Sequence, residues 1–348
     1  MNHPRVAVIG AGLAGSVCAQ RLAEADVEVE LFDKSRGVGG RMSTRRAGWT
    51  DADGQSHAAA FDHGAPCFSA PSAPFRAAVQ DAEARGWLAR WPAAMAPTGF
   101  QPLSPETLWV GTPAMPRWCQ ALVAGLALRL NARVDAIRRD ADRAGGRWAL
   151  AVDGTDPAQG FSHVVLALPP AQAAVLLQPH RADWAQRAAA WPMRPCWALM
   201  GVAAAGPRGP AWDAIRPLDG PLAWLARNGA KPGRSVTPGV DAWVAQATGD
   251  WSQTHLESTA EDVQARLSAA VEAVLGHPLD WRARWVHRWR YANAPRHSTS
   301  AAEPPSWFDP ATGLGACGDH LGGGGVEGAW LSGQAMADAL LASIDSRA

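Results

Sequence analysis

Gly10-Ala11-Gly12-Leu13-Ala14-Gly15 follows the apolar run Val6–Ile9 and opens a helical pattern. In a GxGxxG at a strand-to-helix turn, Gly10 permits the tight turn. Gly12 lets a pyrophosphate approach the backbone, and Gly15 lets the helix pack on the strand. The free amides at Leu13 and Ala14 and the helix dipole then favour an anion. The next apolar run, Val27–Phe32, ends in Asp33. A carboxylate there can accept the hydroxyls of an adenosine ribose and would repel a 2′-phosphate. Lys34 beside it softens that repulsion. Together these residues predict a dinucleotide site.

The loop after Asp33, KSRGVGGRM, narrows the choice. Gly39-Gly40 lets the chain pass close to a cofactor, and Arg41, followed by Met42, can reach pyrophosphate oxygens. Acid, glycine pair and arginine together point to FAD rather than NAD.

A second glycine-rich stretch, GACGDHLGGGGVEGAWLSG, spans Gly315 to Gly333. Gly323, Gly325 and Gly328 repeat GxGxxG formally, but too little chain follows for a second nucleotide-binding unit. A flexible tail is the other simple reading, and the apolar helical spacing from about Ala329 argues against it. The expectation is that backbone passes close to something bulky and flat, the glycines being there because side chains would collide with it.

Composition limits the remaining possibilities. The chain has 348 residues, 47% hydrophobic and 18% charged, with formal net charge +0. It is long enough for two domains, and its charge balance speaks against a nucleic-acid partner. Five scattered cysteines without a CxxC pair predict no disulfide framework and no metal site. No stretch has the length of a membrane span, so the cytoplasm is the expected location. Most of the 18 tryptophans are expected to be packing.

The elements that must position these residues begin with a βαβ unit: a strand at 6–9, a helix at 14–25 and a strand at 27–32. A hairpin turning at Asp51–Gly54 follows. Helices are expected at 75–91 and 113–127, with a loop at 92–105. A strand is expected at 128–134, and a strand pair, 148–152 with 161–167, around Asp153-Gly154. Pro169-Pro170 starts another helix. From about Trp191 to His297 alternating apolar residues predict an antiparallel sheet, with a helix at 260–275. Pro304-Pro305 leads back to the first domain. The nucleotide pattern thus sits at both ends, with a different domain inserted.

The spacing of Asp33, Gly39-Gly40 and Arg41 resembles that of the FAD-dependent amine oxidase superfamily. The stretches LFDKSRGVGGRMS, FDHGAPCF, WLARNGAKPGR, HRWRYA and GVEGAWLSGQ, spread over nearly the whole chain, resemble the renalase family within it, in particular its bacterial members. The resemblance implies an α/β fold: a Rossmann-like FAD-binding domain with an inserted α+β mixed-sheet substrate domain, of the p-hydroxybenzoate hydroxylase and amine oxidase type. Residues 1–66, 105–175 and 301–348 are expected in the first domain, and 67–104 and 176–300 in the second. It further implies FAD contacts at Val134 (adenine, through its backbone), at Gly318 and Asp319 (ribityl chain), and at Val326, Glu327 and Gly328 (pyrimidine edge). The hairpin loop Gly64, Ala65 and Pro66 completes the set. The flavin is expected to be noncovalent.

The implied activity is oxidation of the 2- and 6-dihydro isomers of NAD(P), with O2 as electron acceptor. Such a substrate is already a hydride donor and needs no general base; orientation is the main requirement. The resemblance puts Asn228 and Trp289 at substrate positions, the first for carboxamide pairing and the second as a flat wall. Read without it, Asn228-Gly229 is a turn and Trp289 is packing. Gln246 stands where relatives often carry His, and Pro66-Cys67 where they often carry Gln-Tyr. Cys67 reads as a buried, inert thiol, and neither His63 nor His287 is given a catalytic role. Two other readings stay open: an amine oxidase, although only one tyrosine, Tyr291, and two lysines, Lys34 and Lys231, are present; and a flavin-binding sensor without turnover. Oligomeric state is left open.

Overall fold

Strand Arg5–Ile9 is apolar and β-branched because it lies in the middle of a sheet, buried on both faces. The computed structural model describes residues 4–95, 107–140, 147–206, 210–235, 237–293 and 304–346. The chain divides into two units. One comprises Met1–Gly40, Trp118–Pro192 and Ala294–Ala348; the other comprises Arg41–Arg117 and Met193–Asn293.

The first unit is built on a six-stranded sheet in the order Trp307–Asp309, Leu314–Ala316, His163–Leu166, Arg5–Ile9, Glu28–Phe32, Ala127–Arg129. All neighbours are parallel except the antiparallel edge strand Trp307–Asp309. Helix Leu13–Glu24 connects the first two strands. Helix Gly325–Asp345 packs against it, and the contact is close because a Cβ on Gly333 would run into the Ala14 carbonyl. A separate three-stranded antiparallel sheet joins Val134–Asp140, Arg147–Val152 and Ala158–Phe161.

The second unit carries a five-stranded antiparallel sheet in the order Ala214–Ile215, Leu222–Arg227, Val240–Ala247, Arg194–Ala204, Trp281–Asn293. One face is covered by helix Ala260–Leu275, which buries Val263, Leu267 and Val271 at a spacing of four. Thr259 caps its start, its hydroxyl accepting from the Asp262 amide, and Gly276 at φ +77 ends it. The other face receives the hairpin Arg45–Thr50/Ser56–Phe61 through Phe61, Met200, Val202, Ala242 and Val244.

Several elements differ from the sequence expectation. The helix expected over 75–91 is Ala73–Ala84, after which Gly86 at φ +70 turns the chain into strand Leu88–Trp91. The helix expected over 113–127 is confined to Arg117–Leu122. The strand expected at 128–134 is two strands, Ala127–Arg129 and Val134–Asp140, separated at Asn131 by a positive φ of 52. Strand Arg147–Val152 pairs with Ala158–Phe161, not with the strand that follows; His163–Leu166 lies in the six-stranded sheet. The C-terminal helix begins at Gly325, ahead of Ala329. Residues 96–105 of the expected loop and 294–297 of the expected sheet lie outside the described residues. Among those described, no helix is long and apolar enough to cross a membrane.

Candidate functional site

At the first turn the glycines meet the requirements read from their spacing. Gly10 has φ +108, and a Cβ there or on Gly15 would strike backbone oxygen: Ala167 in one case, Gly10 in the other. Gly12 is different. A Cβ on it would meet only the Gly40 Cα, at 4.0 Å, so its missing side chain leaves room for a ligand. Gly12 is also the N-cap of helix Leu13–Glu24 and offers no side-chain cap. The first-turn amides therefore have no partner within the helix, the arrangement that binds a diphosphate. The Gly39 amide donates to the Ala11 carbonyl at 2.9 Å, tying the GVGG loop to this turn.

Asp33 is buried, and its two carboxylate oxygens accept from the amides of Ala11 at 2.8 Å and Ser35 at 2.7 Å. The carboxylate thus holds the glycine turn and its own loop in place, and each oxygen keeps a second lone pair for a sugar hydroxyl. Lys34 points away to the side chain of Gln172 at 3.2 Å. Val134 opens its strand opposite Val152, with a register shift before Ala136. Gly318 and Asp319 are buried at the end of strand Leu314–Ala316.

The second glycine run answers first to the chain itself. Gly323, Gly324 and Gly325 have φ of +96, +92 and +71, a region that L side chains avoid. A Cβ on Gly322 would strike the Gly328 carbonyl, and one on Gly328 would sit 2.9 Å from the Gly322 oxygen and 3.0 Å from that of Asp319. Self-packing of this turn therefore explains the glycines, where the sequence reading invoked collision with a ligand ring. Val326, Glu327 and Gly328 lie on the first turn of the helix rather than in a loop before it.

Asn228, Gln246 and Trp289 all belong to the second unit. Trp224, Gln246, Ala198 and His287 are paired directly across four strands, and Trp289 lies two residues beyond His287. Residues opposite one another in an antiparallel sheet share a face, so these side chains form one row on the face away from the long helix. A register shift between Leu222 and Trp224 turns Trp224 onto this face. His63, from the loop after the hairpin, packs against it, its ring 4.8 Å from that of His287 and 5.1 Å from that of Trp289. The Trp289 indole N–H donates to the His63 carbonyl at 2.9 Å, and the Gln246 amide donates to the carbonyls of His63, at 3.4 Å, and Gly64. Gly64 has no room for a Cβ against the Arg41 carbonyl, which accepts the Ala65 amide at 2.8 Å. Arg41 itself donates to the Ala292 carbonyl at 3.2 Å. Met42 is buried, and Ala65 and Pro66 are partly so. Burial, reinforced by the neighbouring His287, pushes His63 down to about 4, and burial also lowers His287. Both rings are neutral at pH 7.

Behind this loop lies a fully buried ionic cluster that the sequence reading did not find. Asp62 accepts from Lys231 at 3.0 Å, from Arg234 at 2.7 Å and from the Thr44 hydroxyl at 2.7 Å. Burial opposes the charge on Asp62, but Lys231 and Arg234 overcome it and hold its carboxyl below the usual range. Burial lowers Lys231 against the pull of Asp62. Asn228 is part of this cluster. Its side-chain oxygen accepts from Lys231 at 3.2 Å and from the Asp62 amide at 3.2 Å, and its NH2 donates to Ala60 at 2.8 Å, which leaves one N–H unassigned. Asn228 thus fixes the loop that presents His63. Burial pushes the Cys67 thiol up to about 11, and all five cysteines are free. Among the described residues, no group of His, Cys, Asp and Glu could hold a metal ion.

Comparison with known proteins places this geometry. Residues 8–82 match the NAD(P)-binding Rossmann-like domain, and residues 105–341 match the flavin-containing amine oxidoreductase family. Among solved structures, a proposed protoporphyrinogen oxidase from Exiguobacterium sp. 255-15 aligns with a TM-score of 0.71 at 12% identity, over 99% of this chain and 100% of that one. An oxidoreductase from Methanosarcina mazei gives 0.64 at 14% identity, over 96% and 100%. Putrescine oxidase bound to putrescine gives 0.62 at 13%, over 98% and 99%. At such identities the likeness shows the shared fold. The open backbone at Gly12, the uncapped first turn and Asp33 are a donor and acceptor set that fits a flavin dinucleotide. With the family match covering most of its length, the chain belongs to the flavin-containing amine oxidoreductases and is an FAD-dependent oxidoreductase.

Proposed function

We propose that the protein oxidises 2- and 6-dihydro isomers of NAD(P), giving NAD(P)+ and hydrogen peroxide from substrate, O2 and one proton. FAD, held noncovalently, would accept the hydride and pass the electron pair to oxygen. The observation that carries this reading is the row Gln246, His287 and Trp289 with His63 packed on it. It sets one indole beside two imidazoles and a carboxamide, and it carries no charge at pH 7. Such a surface orients a planar ring and supplies no strong base, which suits a substrate that already donates hydride. Trp289 and His287 provide the ring faces, and Gln246 fixes the loop carbonyls beneath them. The three Asn228 contacts support the same role at the loop's other side. In the nucleotide half, Leu13, Ala14 and Gly15 would hold the diphosphate and Asp33 the ribose. We place the enzyme in the cytoplasm.

The second reading, amine oxidation, is favoured by the family and by the likeness to putrescine oxidase. Its usual lysine would have to be Lys231, which is engaged with Asp62. Rapid anaerobic mixing with 6-dihydro-NAD and, separately, with monoamines tests the choice. Flavin bleaching by the dihydronicotinamide alone is expected. Bleaching by amines alone would reverse the assignment, and no bleaching by either would indicate a flavin-binding sensor.

A further inference from the structure

Trp224 on this face beside Gln246, and Trp91 on strand Leu88–Trp91 packed against it, are buried hydrogen-bond donors without acceptors among the described residues. Trp224, Gln246's cross-strand partner, is 4% exposed and Trp91 is 3% exposed, and neither indole N–H has a hydrogen-bond partner among the described residues. The two rings meet edge to face at 6.3 Å. Unmatched buried donors are rare in native proteins and cost about 1–3 kcal/mol each, so two neighbouring ones call for an acceptor.

The charge around them is net positive. Lys231 Nζ lies 5.4 Å from the centre of the Trp91 ring, and the Arg216 guanidinium 6.0 Å from that of Trp224. Lys231 and Arg234 share the single carboxylate of Asp62, and all three side chains are buried. The neighbouring Cys67 is a neutral thiol and adds no negative charge. The cluster is therefore one positive charge in excess when Lys231 is protonated. An anion placed there would compensate it without water's help.

We propose that Trp91 and Trp224 donate their indole N–H groups to an oxygen acceptor carried by the ligand's ring, and that the surplus cation makes this subsite prefer a carboxylate to a carboxamide. The inference rests on the functional reading only in seating a ring substrate on this face. A dihydronicotinamide brings a carboxamide oxygen to these donors; an aromatic carboxylate satisfies both the donors and the charge.

Calorimetric titration of the purified holoprotein with nicotinate, nicotinamide, benzoate and benzamide tests it. Each carboxylate is expected to bind roughly tenfold more tightly than its amide, the range for a hydrogen bond to a charged group. Trp224→Phe and Trp91→Phe keep a flat ring and remove the N–H; each should weaken the carboxylates by roughly tenfold and narrow the gap to the amides. Arg216→Gln, at an exposed position, should narrow the gap without threatening the fold. Carboxylates binding no more tightly than amides to the parent protein would overturn the proposal. So would folded Trp→Phe variants that bind carboxylates as the parent does. The bleaching assay is independent: nicotinate binding without bleaching by 6-dihydro-NAD would remove the functional reading and leave this subsite standing.

Discussion

The indole N–H of Trp289 donates to the backbone carbonyl of His63 at 2.9 Å, tying the last strand of the five-stranded sheet to the loop after the hairpin. The wall and the loop it faces are thus one piece. Trp289→Phe keeps an aromatic ring but removes this bond together with the pyrrole part of the indole. It is expected to destabilise the protein by about 0.5–1.5 kcal/mol and to slow flavin reduction several-fold by loosening the loop. Urea denaturation and anaerobic stopped-flow reduction measure the two effects separately.

His63 gives a pH dependence. Its folded pKa is about 4 against 6.5 for the free side chain, so the unfolded chain binds more protons between these values. Stability should therefore rise with pH from about 4 to 6.5 and then level off. His63→Gln should flatten that rise in thermal melts recorded across the window. Substrate oxidation should show no His63 titration above pH 5.

Asp62 is the single carboxylate that two buried cations share. Asp62→Asn leaves Lys231 and Arg234 without their counter-charge and is expected to destabilise the fold by about 3–5 kcal/mol. Chemical denaturation at pH 7 is the measurement. Exposed pairs such as Arg85–Asp81 serve as the contrast, since breaking them should change stability by less than about 1 kcal/mol.

Gly333 carries the close crossing of the two helices of the nucleotide unit, so Gly333→Ala must push them apart at Ala14. The expected loss is about 1–3 kcal/mol. Because Ala14 belongs to the first turn, FAD should also be released more readily, which flavin fluorescence after dilution would show.

The nucleotide turn was legible because each of its residues has a local reason. Gly10, Gly12 and Gly15 are required by turn, approach and packing, and Asp33 by the amides it accepts. The sheet face was only half legible. Alternation put Gln246 and Trp289 within antiparallel strands, but the register shift that brings Trp224 beside Gln246 depends on a bulge that no periodicity announces. The pairing of strand Arg147–Val152 was misread for a similar reason. Gly160, at φ +87, bends the apolar run, and the Ser162 hydroxyl, bonded to both the amide and carbonyl of Arg5, sends the chain into another sheet. In the Asp62 cluster the bond from Arg234 joins residues 172 apart in sequence, and only the folded chain brings them together.

The salt bridge from Arg21 to Asp338 spans 317 residues, and with it helix Leu13–Glu24 waits for that length of chain before its partner arrives. Until then strand His163–Leu166 lacks its neighbour Leu314–Ala316 and presents an open edge to other nascent chains. Production of this protein in a host should accordingly be limited by how well that edge is shielded during synthesis, and C-terminally shortened forms should accumulate as insoluble material whatever their affinity for flavin.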